Sequence, residues 1–140
     1  MNSNLIGFKL DHIGIAVNSL EEGKKFYLSL GYSEMSIEDV VGEGVRVGMF
    51  ELDNQSRIEL LEPLNDESPI KKFLTKKGPG VHHYCLRVEN LDELTNRLIQ
   101  SGVKMIYPQS RKGAHNCLIN FVHPSSAGGV LVELSEKLRS

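Results

Sequence analysis

The chain states one motif twice. His12-Ile13-Gly14-Ile15-Ala16-Val17, followed by Leu20-Glu21-Glu22 and Gly31, is answered by His83-Tyr84-Cys85-Leu86-Arg87-Val88, followed by Leu91-Asp92-Glu93 and Gly102. The pairs His12/His83, Val17/Val88, Leu20/Leu91 and Gly31/Gly102 all stand 71 residues apart. A constant offset marks two copies of one supersecondary unit, each of which needs its neighbour to bury an apolar face. Each copy opens a strand with a histidine. Pairing the copies therefore brings together two imidazoles that are far apart in sequence.

Bulk properties narrow the field. A chain of 140 residues is expected to form a single domain over 1–140, large enough to bury a core without disulfides or metal staples. Lys plus Arg is 16 and Asp plus Glu is 18, a balance with no electrostatic footprint for nucleic acid or an anionic membrane. No apolar run approaches the ~18–20 residues of a membrane span, and no charged-then-apolar leader pattern opens the sequence. A cytoplasmic location is expected. Cys85 and Cys117 fall inside strand-like segments and read as buried thiols rather than a disulfide.

Residues 9–17 alternate as a first strand, and Asn18 or Ser19 is placed to cap a helix whose first turn carries Glu21 and Glu22. Leu20, Phe26, Leu28 and Leu30 are its expected apolar side, with Gly31 at its end. A weak strand over 32–37 and an acidic loop over 38–44 come next, then a hairpin of 45–52 and 57–63. Ser68-Pro69 starts a short linking helix, about 68–77, which Lys76-Lys77-Gly78 ends. The second copy predicts a strand at 81–88, a helix at about 91–101 and a strand at 103–107. A loop at 108–116 and strands at 117–122 and 130–135 complete it. The fold class is α+β: two βαβββ modules, about 8–63 and about 80–136.

Two glutamates complete the symmetry. Glu59 in Ile58-Glu59-Leu60 and Glu133 in Val132-Glu133-Leu134 lie in the last strand of each module, between large apolar neighbours. Side chains alternate across a strand, so if the neighbours pack under the helices, both carboxylates point to the concave face. His12, Glu59, His83 and Glu133 together form a mixed N/O set suited to a divalent metal. Taken singly, each reads as an ordinary hydrogen-bonded or solvated group. Their placement in pairs is what makes them candidates.

Further motifs add to this. Asp11-His12-Ile13-Gly14-Ile15-Ala16-Val17, Ile58-Glu59-Leu60-Leu61-Glu62-Pro63, the Asp66-Glu67-Ser68-Pro69-Ile70 helix start, Gly80-Val81-His82-His83, Gly113-Ala114-His115 and His123-Pro124 through Gly128-Gly129-Val130-Leu131-Val132-Glu133-Leu134 occur in this order. Across roughly 9–135 the chain resembles the methylmalonyl-CoA epimerase family, within the vicinal oxygen chelate superfamily that includes glyoxalase I and the extradiol dioxygenases. The resemblance implies a concave mixed sheet enclosing a metal held by His12, Glu59, His83 and Glu133. The ion would be Co, Zn, Ni or Mn. It implies an isomerase that interconverts the epimers of methylmalonyl-CoA by 1,1-proton transfer through a metal-stabilised enediolate, and that acts as a homodimer. A glyoxalase-I-type lyase and a non-enzymatic small-molecule-binding protein of the same fold are the alternatives.

His83 rather than His82 matches the family's ligand, and strand alternation places His82 on the opposite face. The family pattern also has a second catalytic glutamate in the strand after Gly44-Val45, where this chain has Val47. The two bases are therefore expected to be Glu133 and Glu59. Glu43 is the fallback, in a loop whose acids would ordinarily be solvated. His115 lies on a loop able to cover substrate, and His123 reads as structural. No single lysine or arginine stands out as a partner for coenzyme A phosphates.

Overall fold

The computed structural model describes residues 8–139; residues 1–7 and 140, the ends of the expected 1–140 domain, lie outside the described residues. The first module comprises β1 (Lys9–Ala16), α1 (Leu20–Ser29), β2 (Ser36–Val40), β3 (Val45–Glu51) and β4 (Arg57–Pro63). Helix α2 (Pro69–Lys77) leads to the second: β5 (Gly80–Arg87), α3 (Leu91–Gln100), β6 (Arg111–Lys112), β7 (Cys117–Val122) and β8 (Val132–Lys137). All eight strands share one mixed sheet, ordered β2-β3-β4-β1-β5-β8-β7-β6 and curled into a half-barrel. β1 and β5 pair antiparallel at its centre, and each lies parallel to the last strand of its own module, β4 or β8. The sequence repeat is thus a pseudo-twofold arrangement about β1 and β5.

Local chemistry sets the helix starts. Ser19 accepts from the Glu22 amide, Ser68 from the Ile70 amide with Pro69 in the first turn, and Asn90 from the Glu93 amide. A carboxylate from the last strand of each module adds to this. Glu62 accepts from the Leu20 amide at 2.7 Å, and Glu136 accepts from the Leu91 amide at 2.8 Å. An anion at the positive end of a helix is favourable, so each module clamps its helix onto its own sheet.

The core lies between helices and sheet. Val88, Leu91, Val122, Val132 and Leu134 form one cluster under α3, and Val17, Leu20, Phe50 and Leu60 form another under α1. The expected inner face of α1 needs correction, because Phe26 is 63% exposed and Leu30 62%. Leu20, Gly23 and Tyr27, spaced at helical intervals, face inward instead, and the Tyr27 ring stacks on Phe50 at 4.8 Å. Gly23 permits that approach, since a Cβ there would sit 2.8 Å from Val17 Cγ1.

Three segments fold differently from expectation. The second strand lies at Ser36–Val40 rather than 32–37, taking in part of the stretch read as an acidic loop. Asp39 pairs across it with Arg46 at 2.7 Å, so its charges belong to an edge strand. The strand expected at 103–107 is reduced to a single bridge, Met105 to Val122. Backbone bonds from Ile106 to Phe121 and from His123 to Lys104, both 2.8 Å, flank that bridge, and the Asn120 side chain extends the pairing by bonding both the amide and the carbonyl of Tyr107 at 3.2 Å. The last strand runs Val132–Lys137, two residues later than 130–135. Cys85 and Cys117 are buried thiols, as expected.

Candidate metal centre and active site

The four central strands each deliver one candidate ligand to the concave face: Glu59 from β4, His12 from β1, His83 from β5 and Glu133 from β8. All four are buried. His12 Nε2 lies 3.1 Å from His83 Nε2, 3.0 Å from Glu133 Oε1 and 3.3 Å from Glu59 Oε1, and His83 Nε2 lies 2.9 Å from Glu133 Oε1. Ligand atoms ~2.1 Å from one cation and roughly 90–110° apart stand ~3.0–3.4 Å from each other. The spacing of His12, His83 and Glu133 is that of a coordination shell, and Glu59 stands beside it, close to His12 alone.

The donor chemistry fits a cation as well. His12 Nδ1 bonds the Asp11 carboxylate at 2.8 Å, so in the neutral ring Nδ1 carries the proton and Nε2 presents a lone pair. That lone pair faces the oxygens of Glu133 and Glu59, which are also acceptors. Burial opposes a charged His12, yet Asp11, Cys85, Glu133 and Glu59 outweigh it and push its pKa far up. Converging lone pairs need a positive charge at their centre.

Gly14 and Cys85 occupy matching places in this arrangement. In register, Gly14 faces His83 and Cys85 faces His12 across the β1–β5 pair. A Cβ on Gly14 would lie 2.3 Å from the His83 ring, so the missing side chain is what seats that imidazole. Burial pushes the Cys85 thiol up to about 12, which keeps it protonated at neutral pH.

The residue before each ligand histidine acts on it in the same way. Asp11 and His82 are themselves a repeat pair, and His82 Nδ1 sits 2.9 Å from His83 Nδ1 as Asp11 does from His12 Nδ1. His82 also packs edge-on against Phe73 of α2, and burial lowers it to about 4, leaving it neutral. Such outer partners fix the tautomer and angle of a ligating imidazole. Sequence reasoning missed Asp11. The sheet register shifts between Leu10 and His12, so two consecutive side chains both turn inward and simple alternation fails there.

Arg57 and Arg87 complete the anionic balance. Both donate to Asp11, at 2.8 and 2.5 Å, and hold its carboxyl well below the usual range against the opposing effect of burial, together with His12. Arg57 also grips Glu59 Oε2, at 3.0 Å through Nη2 and 3.3 Å through Nε. Burial works against charge on Glu59, but His115, His12 and Arg57 prevail and lower its pKa. Glu133 meets both imidazoles through Oε1 and is drawn down to about 2 despite burial.

A cavity of about 270 Å³ opens above this set, with Glu59, His83 and Glu133 in its lining and Val45, Val47, Leu61, Ile70 and Phe121 among its apolar walls. Val47 is 2% exposed in that wall, so no acid stands at that position. Glu43, expected in a solvated loop, instead lines the cavity at the end of a 3-10 turn (Val41–Glu43) and accepts from the Tyr107 hydroxyl at 3.0 Å. His115 adopts a left-handed backbone, φ 58°, and brings Nε2 to 3.7 Å from Glu59 Oε2. His123 caps a 3-10 turn (Pro124–Ser126) through Nδ1, a structural role as expected.

Comparison with known proteins gives this geometry its context. The glyoxalase/bleomycin resistance protein/dioxygenase superfamily model matches residues 11–121. The mitochondrial methylmalonyl-CoA epimerase of Dictyostelium discoideum is 41% identical, covering 92% of this chain and 78% of its own. The chain belongs to the methylmalonyl-CoA epimerase family of that superfamily. A crystal structure of the epimerase from Mycobacterium tuberculosis superposes with a TM-score of 0.89 at 38% identity, over 99% of this chain and 93% of that one. A methylmalonyl-CoA epimerase in complex with methylmalonyl-CoA and NH4+ gives a TM-score of 0.84 at 32% identity, over 92% and 94%. The βαβββ repeat read from the sequence and the concave mixed sheet that the resemblance implied are both present.

Proposed function

We propose that this protein interconverts the two epimers of methylmalonyl-CoA, with a divalent metal held by His12, Glu59, His83 and Glu133. The observation that carries the reading is the convergence of His12, His83 and Glu133 from three strands beneath a small, largely apolar cavity, with Glu59 of a fourth strand beside His12. At about 270 Å³ the cavity lies below the ~300–1,000 Å³ of drug-sized sites. It suits the acyl head of a thioester, with the long carrier chain running outside.

The chemistry follows from the substrate. Its α-carbon stands between a thioester and a carboxylate, and inversion means removing the α-proton from one face and returning one to the other. A divalent cation supplies Lewis acidity toward the thioester and carboxylate oxygens, offsetting the negative charge that develops there. His12 and His83 contribute neutral donors, fixed in angle by Asp11 and His82. Glu59, gripped by Arg57 on its second oxygen, is suited to stay put as a ligand; this weighs against the expected role of Glu59 as a base. Glu133 is the metal-side carboxylate we assign as one base. The apolar walls exclude water and so keep the carbanionic carbon from being protonated at random.

We further place the protein in the cytoplasm as a homodimer. The location rests on the sequence reading; the dimer rests on the family resemblance. Among the described residues no helix is long and apolar enough to cross a membrane. The function is tested by offering pure (S)-methylmalonyl-CoA and, separately, the hemithioacetal of methylglyoxal and glutathione. Inversion of the thioester that stops with a chelator and returns with Co or Zn supports the reading. Turnover of the hemithioacetal alone would replace it with a glyoxalase function, and binding without turnover of either would replace it with a carrier.

A further inference from the structure

Inversion requires two proton-transfer groups, and the metal-side carboxylates provide one with an uncommitted role. The family's second acid position is Val47, which is apolar here. A different carboxylate reaches the same cavity from a different element. Glu43 ends the 3-10 turn that follows edge strand β2, and that turn is fixed at both sides. The Gly44 amide donates to the Val41 carbonyl at 3.0 Å, and the Gly44 carbonyl accepts from the Leu64 amide at 3.0 Å. Gly44 takes φ 68°, a left-handed conformation that glycine adopts without strain.

The Glu43 side chain is 14% exposed and faces into the cavity that Glu133 and His83 also line. Both of its oxygens lie within reach of the Tyr107 hydroxyl, at 3.0 and 3.3 Å, and Arg111 Nε stands 3.6 Å away. Arg111 in turn stacks over the Tyr107 ring at 4.2 Å. A carboxylate in an acidic surface turn has no need of such a mount. We propose that Glu43 is the second proton-transfer residue, serving the face of the α-carbon opposite to Glu133. The inference rests on the epimerase reading above.

The step balances with two carboxyl groups. One starts ionised and takes the α-proton, and the C–H electron pair moves into the developing enolate, toward the thioester oxygen. The other starts protonated and delivers its proton to the opposite face as that pair returns to carbon. The two groups end with their protonation states exchanged, and exchange of their protons with solvent once product has left restores the starting state. Glu43 is equipped to hold a proton in one half of the cycle. Burial raises its pKa, with Glu133 adding to the rise, while Tyr107, Arg111 and His83 oppose it. Two carboxyls kept in contrasting surroundings are what a two-face transfer uses.

The test separates proton exchange from inversion. Metal-loaded wild type and Glu43→Gln are each incubated in deuterated water with each pure epimer of methylmalonyl-CoA, and deuterium at the α-carbon is followed alongside configuration. Glutamine is nearly isosteric and still accepts from the Tyr107 hydroxyl, so the turn keeps its mount. The expected result is inversion reduced ~10²-fold or more, the scale of a lost general base. Deuterium still enters with retention from the epimer whose α-hydrogen faces Glu133, and metal content is unchanged. Inversion by Glu43→Gln within a few-fold of wild type overturns the assignment. So does equal loss of exchange from both epimers, which marks a general structural effect. A wild type that neither exchanges nor inverts overturns the epimerase reading itself, a different failure from either of these.

Discussion

Gly14 shows how one missing side chain seats a candidate metal ligand. The His83 ring fills the space in which a Cβ on Gly14 would lie, 2.3 Å from Cε1. Gly14→Ala is therefore expected to displace the His83 ring and abolish tight metal binding while the protein stays folded, as read by calorimetric titration with Co or Zn. Unchanged affinity would mean that His83 need not sit where the structure places it. The outer partners grade the two imidazoles. Asp11, an anion held by two arginines, should matter more than neutral His82. Asp11→Asn should weaken metal binding by ~10–100-fold, and His82→Ala by less. The reverse order would show His83 to be the more dependent ligand. Acid tests the same cluster without metal. Folding lowers the pKa of both Asp11 and Glu133, the latter from 4.5 to about 2. Their contribution to stability is thus complete above ~4.5 and lost as pH falls toward 2. Urea midpoints of metal-free protein should fall across that window, and the fall should shrink in Glu133→Gln. The four candidate ligands stand out in the sequence because the repeat pairs them. Asp11 was not legible there, nor was His82, which lines the cavity beside His83 and not the opposite face, because a shift in register cannot be read from alternation.

Among the elements, the helix clamps repeat as faithfully as the ligands. Glu59-Leu60-Leu61-Glu62 and Glu133-Leu134-Ser135-Glu136 share one pattern: the first glutamate turns to the metal site and the fourth caps the helix of its module. Odd spacing along a strand puts the two carboxylates on opposite faces of the sheet. Glu62→Ala and Glu136→Ala should each cost about 1 kcal/mol, a fall of ~3–5 °C in Tm, with metal affinity nearly unchanged. A loss of metal binding equal to that of Glu133→Ala would show the two faces are not independent. Helix starts and the hairpin were legible from caps, alternation and turns; the parallel pairing of each module's first and last strands was not. The edges were not. β2 is built from Ser, Glu and Asp around Ile37 and Val40, which reads as a loop until its partner β3 is known. Toward the other edge the pairing of 104–107 ends on a side chain, Asn120, and no propensity records that.

At the scale of the whole molecule those two edges meet. The His115 amide donates to Glu38 of β2 at 3.1 Å, and Tyr107 and Arg111 of the second module hold Glu43 of the first. The curled sheet is thereby tied across its opening, above the cavity. The two modules agree where the candidate metal ligands are built and differ at the sheet edges. Repetition makes the site visible in sequence, and divergence of the edges hides its cover. The central claim is that four equivalent strands focus one cation between them. A competing set exists next to it, in which Asp11, His12 and Cys85 also offer atoms close enough to share an ion. The direct measurement is anomalous scattering from a cobalt-loaded crystal. The account predicts one cobalt per chain, ~2.0–2.3 Å from His12 Nε2, His83 Nε2, Glu133 and Glu59. Cobalt on Asp11, His12 Nδ1 and Cys85 instead, or bound without both modules contributing, would contradict it.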